Sequence, residues 1–363
     1  MRVVLAGGGS AGHTSPLIAT ADWLRTLDPG IELTAVGTAT GLEVTVVPAA
    51  GLRLELIPRV PLPRRITPAM LAVPGHLAGA VRQARELLTA ARADVVVGFG
   101  GYVAMPVYLA ARGLRIPIVV HEQNALPGLA NKVAARTLTR HVGTSFPDTP
   151  LPHARYVGLP LRTAIEKFDR AALRPDAWAA FGLEPDRPTL LVSGGSLGAL
   201  SINAALVGAR DRLLAAGIQI LHVVGNGKST EDTVPVSHPQ TGARYRPMAY
   251  VDRMDQAYAV ADLMLARSGA GTVCETAAVG LPCMFVPLAV GNGEQARNAR
   301  PVVDADAGVL VSDHDCTADL LARRMPELLG DPDRLAQMGR AAQRVIPRDG
   351  AEKLARWIVA VAG

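Results

Sequence analysis

Three cysteines in 363 residues, Cys274, Cys283 and Cys316, are an odd number with no paired spacing, so neither a disulfide framework nor a cysteine-based zinc site is expected. A reducing cytoplasm is the compartment this implies. Aromatic residues make up only 4%, and no nucleic-acid-binding motif accompanies them, so nucleic acid is not expected as a partner. Low-complexity tracts are absent, and 49% hydrophobic against 19% charged residues is a globular balance, not a disordered or fibrous one. Long apolar runs are missing too. The richest, Val95 to Ala111, is broken by Gly98, Gly100, Gly101 and Pro106, and reads as buried strand, loop and helix. The first residues already form a strand, which leaves no room for the charged start, apolar core and cleavage site of an export signal.

Glycine, by contrast, is placed with a pattern. Gly7-Gly8-Gly9-Ser10-Ala11-Gly12-His13 and Ser193-Gly194-Gly195-Ser196-Leu197-Gly198 each follow an apolar run, Val3–Ala6 or Thr189–Val192, and precede helically spaced apolar residues. Strand, phosphate-type loop and helix thus occur twice, with helix amides aimed at whatever anion lies in the loop. Roughly 150 residues per domain also predicts two domains for this length. Further apolar runs, Asp94–Val97, Pro117–Val120, Ile218–Val224 and Pro282–Val286, alternate with helical stretches, which predicts an α/β chain with two doubly wound parallel sheets facing a cleft. The break falls at Val157-Gly158-Leu159-Pro160-Leu161-Arg162. Domains of 1–160 plus 345–363, and 161–344, follow if the helix spanning Glu352 to Ala360 crosses back to the first.

Charge is uneven. Residues 1–160 carry 15 Lys or Arg against 9 Asp or Glu, a net +6, whereas residues 161–363 carry 22 against 23, a net −1. In the basic half, Arg59, Arg64 and Arg65 precede Met70, Leu71, Val73 and Leu77 and a helix with Arg82 and Arg85. Basic residues beside an apolar patch suit an anionic membrane surface; an ordinary solvated face over a core helix is the alternative.

Gly7-x-Gly9-x-x-Gly12 satisfies a dinucleotide fingerprint, but the second strand, Ile31 to Val36, ends in Gly37-Thr38 instead of the acidic residue a ribose needs. His13, with Ser15 read as helix cap and Pro16 in the first turn, suggests a reactive group held at a helix start. Small residues in Arg267-Ser268-Gly269-Ala270-Gly271-Thr272-Val273-Cys274-Glu275, after a strand from Asp262 to Ala266, permit close approach of a phosphate at a second helix start. Gln295 and Asn124 are amides of the kind that read sugar hydroxyls, and isolated amides also serve as loop residues. Asp304/Asp306, Asp313/Asp315 and Asp331/Asp333 imitate metal-binding pairs but lie away from these motifs and read as turns or exposed caps. No metal or cofactor is expected.

Six motifs in order, the glycine loop ending in His13, Gly100-Gly101-Tyr102, His121-Glu122-Gln123-Asn124, Gly194-Gly195-Ser196, Arg267-Ser268-Gly269 through Glu275, and Glu294-Gln295 with Asn298-Ala299, resemble the MurG family of glycosyltransferases almost end to end. The resemblance implies the GT-B architecture of two Rossmann-like domains, with the donor UDP-GlcNAc held mainly by the second. The acceptor, an undecaprenyl-diphosphate-linked muramyl pentapeptide, would be held by the first. It further implies inverting transfer of GlcNAc that turns lipid I into lipid II in peptidoglycan synthesis, at the cytoplasmic side of the bacterial cell membrane, with other wall-synthesis proteins as further partners. A related transferase with a different lipid or metabolite acceptor, and a non-catalytic lipid-intermediate binder, are the alternatives.

Residue by residue, the resemblance places Ser10, Ala11 and Gly12 in the substrate-binding loop, Glu275 on the ribose hydroxyls, Ser196 and Arg162 near the diphosphate and the Val251 backbone on uracil. A surface glutamate at 275 and a structural ion pair at 162 are the plain alternatives. His13 is the candidate base for the acceptor 4-hydroxyl, with contact to the acceptor diphosphate as its other reading, and Glu122 is the second candidate. The family commonly has threonine and glycine at the positions of Ser10 and Ala11. Alanine is expected to alter the loop slightly, at roughly 1 kcal/mol, if positive φ is required there.

Overall fold

Runs of Val, Leu and Ile with no polar interruption are what a strand covered by helices on both faces requires, and each such run named above is a parallel strand. The computed structural model describes residues 1–60, 73–195, 198–290 and 292–363. It divides into two units, Met1–Arg162 with Arg348–Gly363, and Thr163–Pro347.

The first unit runs β1 (Arg2–Ala6), α1 (Ala11–Leu27), β2 (Glu32–Gly37), α2 (Glu43–Ala49), β3 (Arg53–Leu56), α3 (Val73–Ala90), β4 (Val95–Gly98), α4 (Ala104–Leu114), β5 (Ile118–Glu122), α5 (Leu129–Thr137), β6 (His141–Thr144) and β7 (Ala154–Tyr156). Its sheet has the order β3-β2-β1-β4-β5-β6-β7, parallel throughout. Successive side chains alternate between two cores. Val3, Leu5, Val95 and Val97 meet Leu17 and Leu24 of α1, whereas Val4, Val96 and Val120 meet Val107 and Tyr108 of α4. Each fully buried Val or Leu contributes roughly 1.5–3 kcal/mol.

In the second unit follow α6 (Thr163–Glu166), α7 (Arg170–Phe181), β8 (Thr189–Ser193), α8 (Leu200–Ala215), β9 (Gln219–Val223), β10 (Val236–Ser237), β11 (Arg244–Met248), α9 (Met254–Val260), β12 (Leu263–Ala266), α10 (Ala270–Val279), β13 (Cys283–Phe285), α11 (Glu294–Asp304), β14 (Gly308–Leu310), α12 (Ala318–Leu329) and α13 (Pro332–Val345). The order is β10-β11-β9-β8-β12-β13-β14. This sheet departs from the all-parallel expectation at one edge: two-residue β10 pairs antiparallel with β11, since a short hairpin-like return needs no crossover helix. The chain then returns to the first unit as α14 (Gly350–Ala362), whose Leu354, Ala355 and Ile358 join the α1 side of its core.

Both sheets are Rossmann-like, and their topology locates the functional loops. In each, the chain leaves one central strand to one side and crosses to its neighbour on the other, so the loops beyond β1 and β4, and beyond β8 and β12, diverge at a switch point. Four of the motifs singled out in the sequence occupy those four strand ends.

Candidate active site

Beyond β1 the chain turns through Gly9 at φ 87°, and α1 begins at Ala11 with Ser10 as its N-cap. Two expectations are corrected here. Ala11 is helical and Gly9 carries the positive φ, so the alanine methyl strains nothing. Ser15 is not the cap, because the helix starts upstream of it and Pro16 lies in the helix interior. Gly12 and His13 therefore belong to the first turn. Ser10 Oγ lies 3.1 Å from His13 Nδ1, and the ring also hydrogen-bonds the Gly8 backbone. Burial lowers the His13 pKa, and the nearby Glu43 carboxylate opposes that shift.

The Gly9 amide does not face an open phosphate cradle, as the first glycine loop was expected to offer. It donates to Glu43 Oε2 at 2.8 Å, while Glu43 Oε1 accepts from the Thr38 amide and hydroxyl, both at 2.9 Å. Glu43 is 0% exposed. Burial alone would raise its pKa, but the hydrogen bonds from Gly9 and Thr38 outweigh it and hold the carboxyl below its ordinary value. An internal anion on the Gly9 amide opposes a second one at that point, so the electropositive part of the loop is the start of α1.

Across the switch point stand Gly100 and Gly101, at φ 87° and 80°. A Cβ on Gly101 would sit 2.9 Å from the Gly8 carbonyl oxygen, and one on Gly100 3.4 Å from His13 Nε2, so this loop walls the histidine. Glu122, at the end of β5, is 2% exposed. It accepts from the Asn124 amide at 2.9 Å, the Gly128 amide at 3.0 Å and Asn131 Nδ2 at 2.9 Å, and the Tyr108 hydroxyl donates to Asn131 Oδ1 at 2.9 Å. Glu122 thereby clamps the loop carrying Asn124. Behind it, His121 Nε2 lies 2.9 Å from the Gly158 carbonyl oxygen, and burial pushes its pKa down to about 4, which keeps it neutral.

In the second unit, Ser196 lies outside the described residues, as do Leu197 and Gly291. The loop around Ser196 requires glycine: a Cβ on Gly194 would fall 2.1 Å from the Ala199 nitrogen. Gly269 caps α10, whose first turn, Ala270, Gly271 and Thr272, carries no acidic side chain, leaving the helix start free to favour an anion. Val273 and Cys274 are 0% exposed, so their side chains serve the core and not a ligand. Glu275 is half-buried, and its Oε2 accepts from the Tyr258 hydroxyl at 2.7 Å. Val251 is buried in the turn before α9, and Arg162, the last residue of the first unit before Thr163, is exposed.

Beneath the α10 loop, Arg267 is 9% exposed and donates to the carbonyls of Val286 and Pro287 at 3.1 Å, to Ser201 Oγ at 2.8 Å and to Asp313 Oδ1 at 2.5 Å. Asp313 does lie in a turn, but the expectation that its pair stands away from the motifs is corrected: it is the counter-charge of this motif arginine. Asp304 and Asp331 do lie at the surface, paired with Arg300 and capping α13. Gln295 Oε1 accepts from the Leu288 amide at 3.0 Å, and Asn298 Nδ2 donates to the Ser268 carbonyl at 3.3 Å, which ties α11 to the same loop. Among the described residues, no group of three or more His, Cys, Asp or Glu is placed to hold a metal ion.

The chain matches the glycosyltransferase family 28 N-terminal domain over residues 3–142 and the glycosyltransferase family 28 C-terminal domain over residues 189–354. Among solved structures, MurG of Acinetobacter baumannii is similar at a TM-score of 0.79 and 26% identity, over 99% of each chain. A Nocardioides relative named UDP-N-acetylglucosamine--N-acetylmuramyl-(pentapeptide) pyrophosphoryl-undecaprenol N-acetylglucosamine transferase is 56% identical over 99% of this chain and 98% of its own. One from Cutibacterium acnes with the same name is 54% identical over 100% of this chain and 98% of its own. The chain belongs to the MurG family.

Within this MurG-family chain, two residues that the sequence does not mark, Glu43 and Tyr258, and one whose role it does not reveal, Asp313, stand beside those it does. Glu43 follows Gly37 and Gly41 closely, and that pairing of a carboxylate with two nearby glycines is its one local signal. Tyr258 sits on an apolar helix and looks like core. Asp313 belongs to an Asp-x-Asp pair that is indistinguishable in sequence from a solvated turn.

Proposed function

We propose that this chain is an inverting UDP-GlcNAc-dependent transferase that moves GlcNAc to the 4-hydroxyl of lipid-linked N-acetylmuramyl pentapeptide, converting lipid I to lipid II. The observation that carries this is the 56% identity to a named transferase along 99% of the chain, which disfavours both a different acceptor and a non-catalytic binder. The acceptor oxygen attacks C1 of GlcNAc, the C1–oxygen bond to UDP breaks with its electron pair leaving on the diphosphate, and the proton lost by the hydroxyl passes to neutral His13. The lowered pKa of His13 supports this role, because it keeps the imidazole unprotonated near neutral pH. Glu122 holds the loop that carries Asn124, and its three donors, two loop amides and the Asn131 amide on α5, favour that task over proton transfer.

For the donor, the start of α10 stabilises the charge developing on the leaving diphosphate. Ser196 and Arg162 assist there by family resemblance. Glu275 accepts from the ribose hydroxyls, the Val251 backbone holds uracil, and Gln295 reads the sugar. The first unit is the acceptor domain and the second the donor domain.

No described helix is long and apolar enough to cross a membrane. We place the protein peripherally on the cytoplasmic face, where Arg82 and Arg85, both exposed on α3, would meet anionic lipid. Of the patch read from the sequence, Arg64, Arg65, Met70 and Leu71 lie outside the described residues. In this place the enzyme serves wall biogenesis, and through it cell shape and division, beside other wall-synthesis proteins.

The test is transfer of labelled GlcNAc from UDP-GlcNAc to purified lipid I, with wild type beside His13→Ala and a chelator control. Product that survives chelation in the wild type and falls at least about 100-fold in the variant supports the reading. No product from folded, donor-binding wild type overturns it.

A further inference from the structure

The mechanism above makes no use of Glu43, a carboxylate with no exposed surface. Burying a charge is costly unless it is hydrogen-bonded, and this one has been given a site. Cβ atoms on Gly8, Gly37 and Gly41 would lie 2.4, 2.4 and 1.9 Å from Glu43 side-chain atoms, so three residues are reduced to hydrogen to admit it. Its two oxygens then accept from the Gly9 amide on one side and from Thr38 on the other. Gly8 has Glu43 against its α-carbon, while its backbone hydrogen-bonds the His13 ring.

Resting on the assignment of His13 as base, we propose that Glu43 is a positioning residue for the transfer step: it locks the Gly8–Gly9 turn beneath His13 and supplies the buried negative charge that stabilises the imidazolium formed when His13 takes the acceptor proton. Among the described residues, the charges facing His13 from the elements around it are few. Glu43 lies on the α2 side. On the β5 and α5 side, Glu122 stands behind Asn131, whose Nδ2 is 3.1 Å from where a Gly100 Cβ would be. From α4, the Tyr108 hydroxyl stays uncharged because burial pushes its pKa up. Ser10, on the remaining side, is neutral. Glu43 is therefore the charge that a substitution can remove without opening the loop holding Asn124.

The experiment compares full-length wild type, Glu43→Gln, Glu43→Asp and His13→Ala, measuring kcat/KM for lipid I against pH at saturating UDP-GlcNAc. In the wild type the rate rises with pH as His13 loses its proton. Without the carboxylate the imidazolium is less stable, so in Glu43→Gln this acid limb moves to lower pH and the plateau falls by at least about tenfold. Glu43→Asp, which restores the charge, returns the limb toward its wild-type position while kcat stays reduced, and the KM for UDP-GlcNAc is unchanged in both. A purely structural role would lower the rate without moving the limb. If His13→Ala keeps its activity, the base assignment has failed; if it loses activity while Glu43→Gln leaves the limb in place, the role of Glu43 has failed and the base stands. Should Glu43→Gln not fold, Thr38→Val deletes only one hydroxyl donor to Oε1: a severalfold fall in kcat at unchanged donor KM is expected, and an unchanged kcat overturns the proposal.

Discussion

Replacing Asp313 with asparagine removes the counter-charge from Arg267 while preserving shape. The guanidinium retains two carbonyls and the Ser201 hydroxyl, so it loses its ion pair but not its hydrogen-bonded cage. Breaking a buried ion pair costs roughly 3–5 kcal/mol. Because the Asp313 side chain is 22% exposed, solvent screens part of that, and about 2 kcal/mol is the expected loss. For a unit the size of Thr163–Pro347 this lowers Tm by about 4–8 °C. Burial would raise the Asp313 pKa, but hydrogen bonds from Ser201 and Arg267 leave it lowered from 3.8. A depressed carboxylate contributes stability above its unfolded pKa and loses it as pH falls through the folded value. The gap between wild type and Asp313→Asn is therefore constant between about pH 5 and pH 7 and closes only below 3.8. Hydrogen exchange read by mass spectrometry supplies the assay, with β8 and β12 losing protection while β1 and β4 serve as an internal control. A loss under about 0.5 kcal/mol, or a gap that narrows between pH 7 and 5, refutes the assignment of Asp313 as the partner of Arg267.

Three further outcomes are expected. Gly41→Ala, whose Cβ would fall 1.9 Å from Glu43 Oε2, should displace that carboxylate and cut transfer at least about tenfold without changing UDP-GlcNAc affinity; full activity would show that the glycine nest is not needed. Tyr258→Phe removes a 2.7 Å hydrogen bond to Glu275 and should raise the KM for UDP-GlcNAc about threefold to tenfold, with Glu275→Ala raising it further; an unchanged KM in both removes Glu275 from the ribose. Ile358→Ala, at a fully buried position of α14, should cost about 2–4 kcal/mol in urea unfolding of the first unit, and a neutral result would mean that α14 is not part of that core.

Much of the fold was legible because parallel strands announce themselves. Val95-Val96-Val97 and Leu190-Leu191-Val192 have no polar face, and only a doubly covered sheet uses such runs. The two-residue β10 was not, since an edge pairing that short has no periodicity to read. At the site, glycine loops and helix starts could be located because backbone chemistry dictates residue type. What side chains do across the fold could not. Glu43 reaches Gly9 over 34 positions and Asp313 reaches Arg267 over 46; apart from the two glycines that precede Glu43, nothing local distinguishes either from a surface carboxylate. The start of α1 was not legible either: Ser10 and Ser15 both suit a cap, and the helix starts after Ser10, whose hydroxyl faces His13 instead of a helix amide.

The return of α14 to the first unit has a bearing on biosynthesis. Leu17, Ala21 and Leu24 present an apolar face that Leu354, Ala355 and Ile358 help to cover, and some 330 residues of chain are made between the two sets. The nascent first unit therefore emerges with one flank of its core bare, whereas Thr163–Pro347 is contiguous and can close as it is made. The unit begun first is thus the last to be completed.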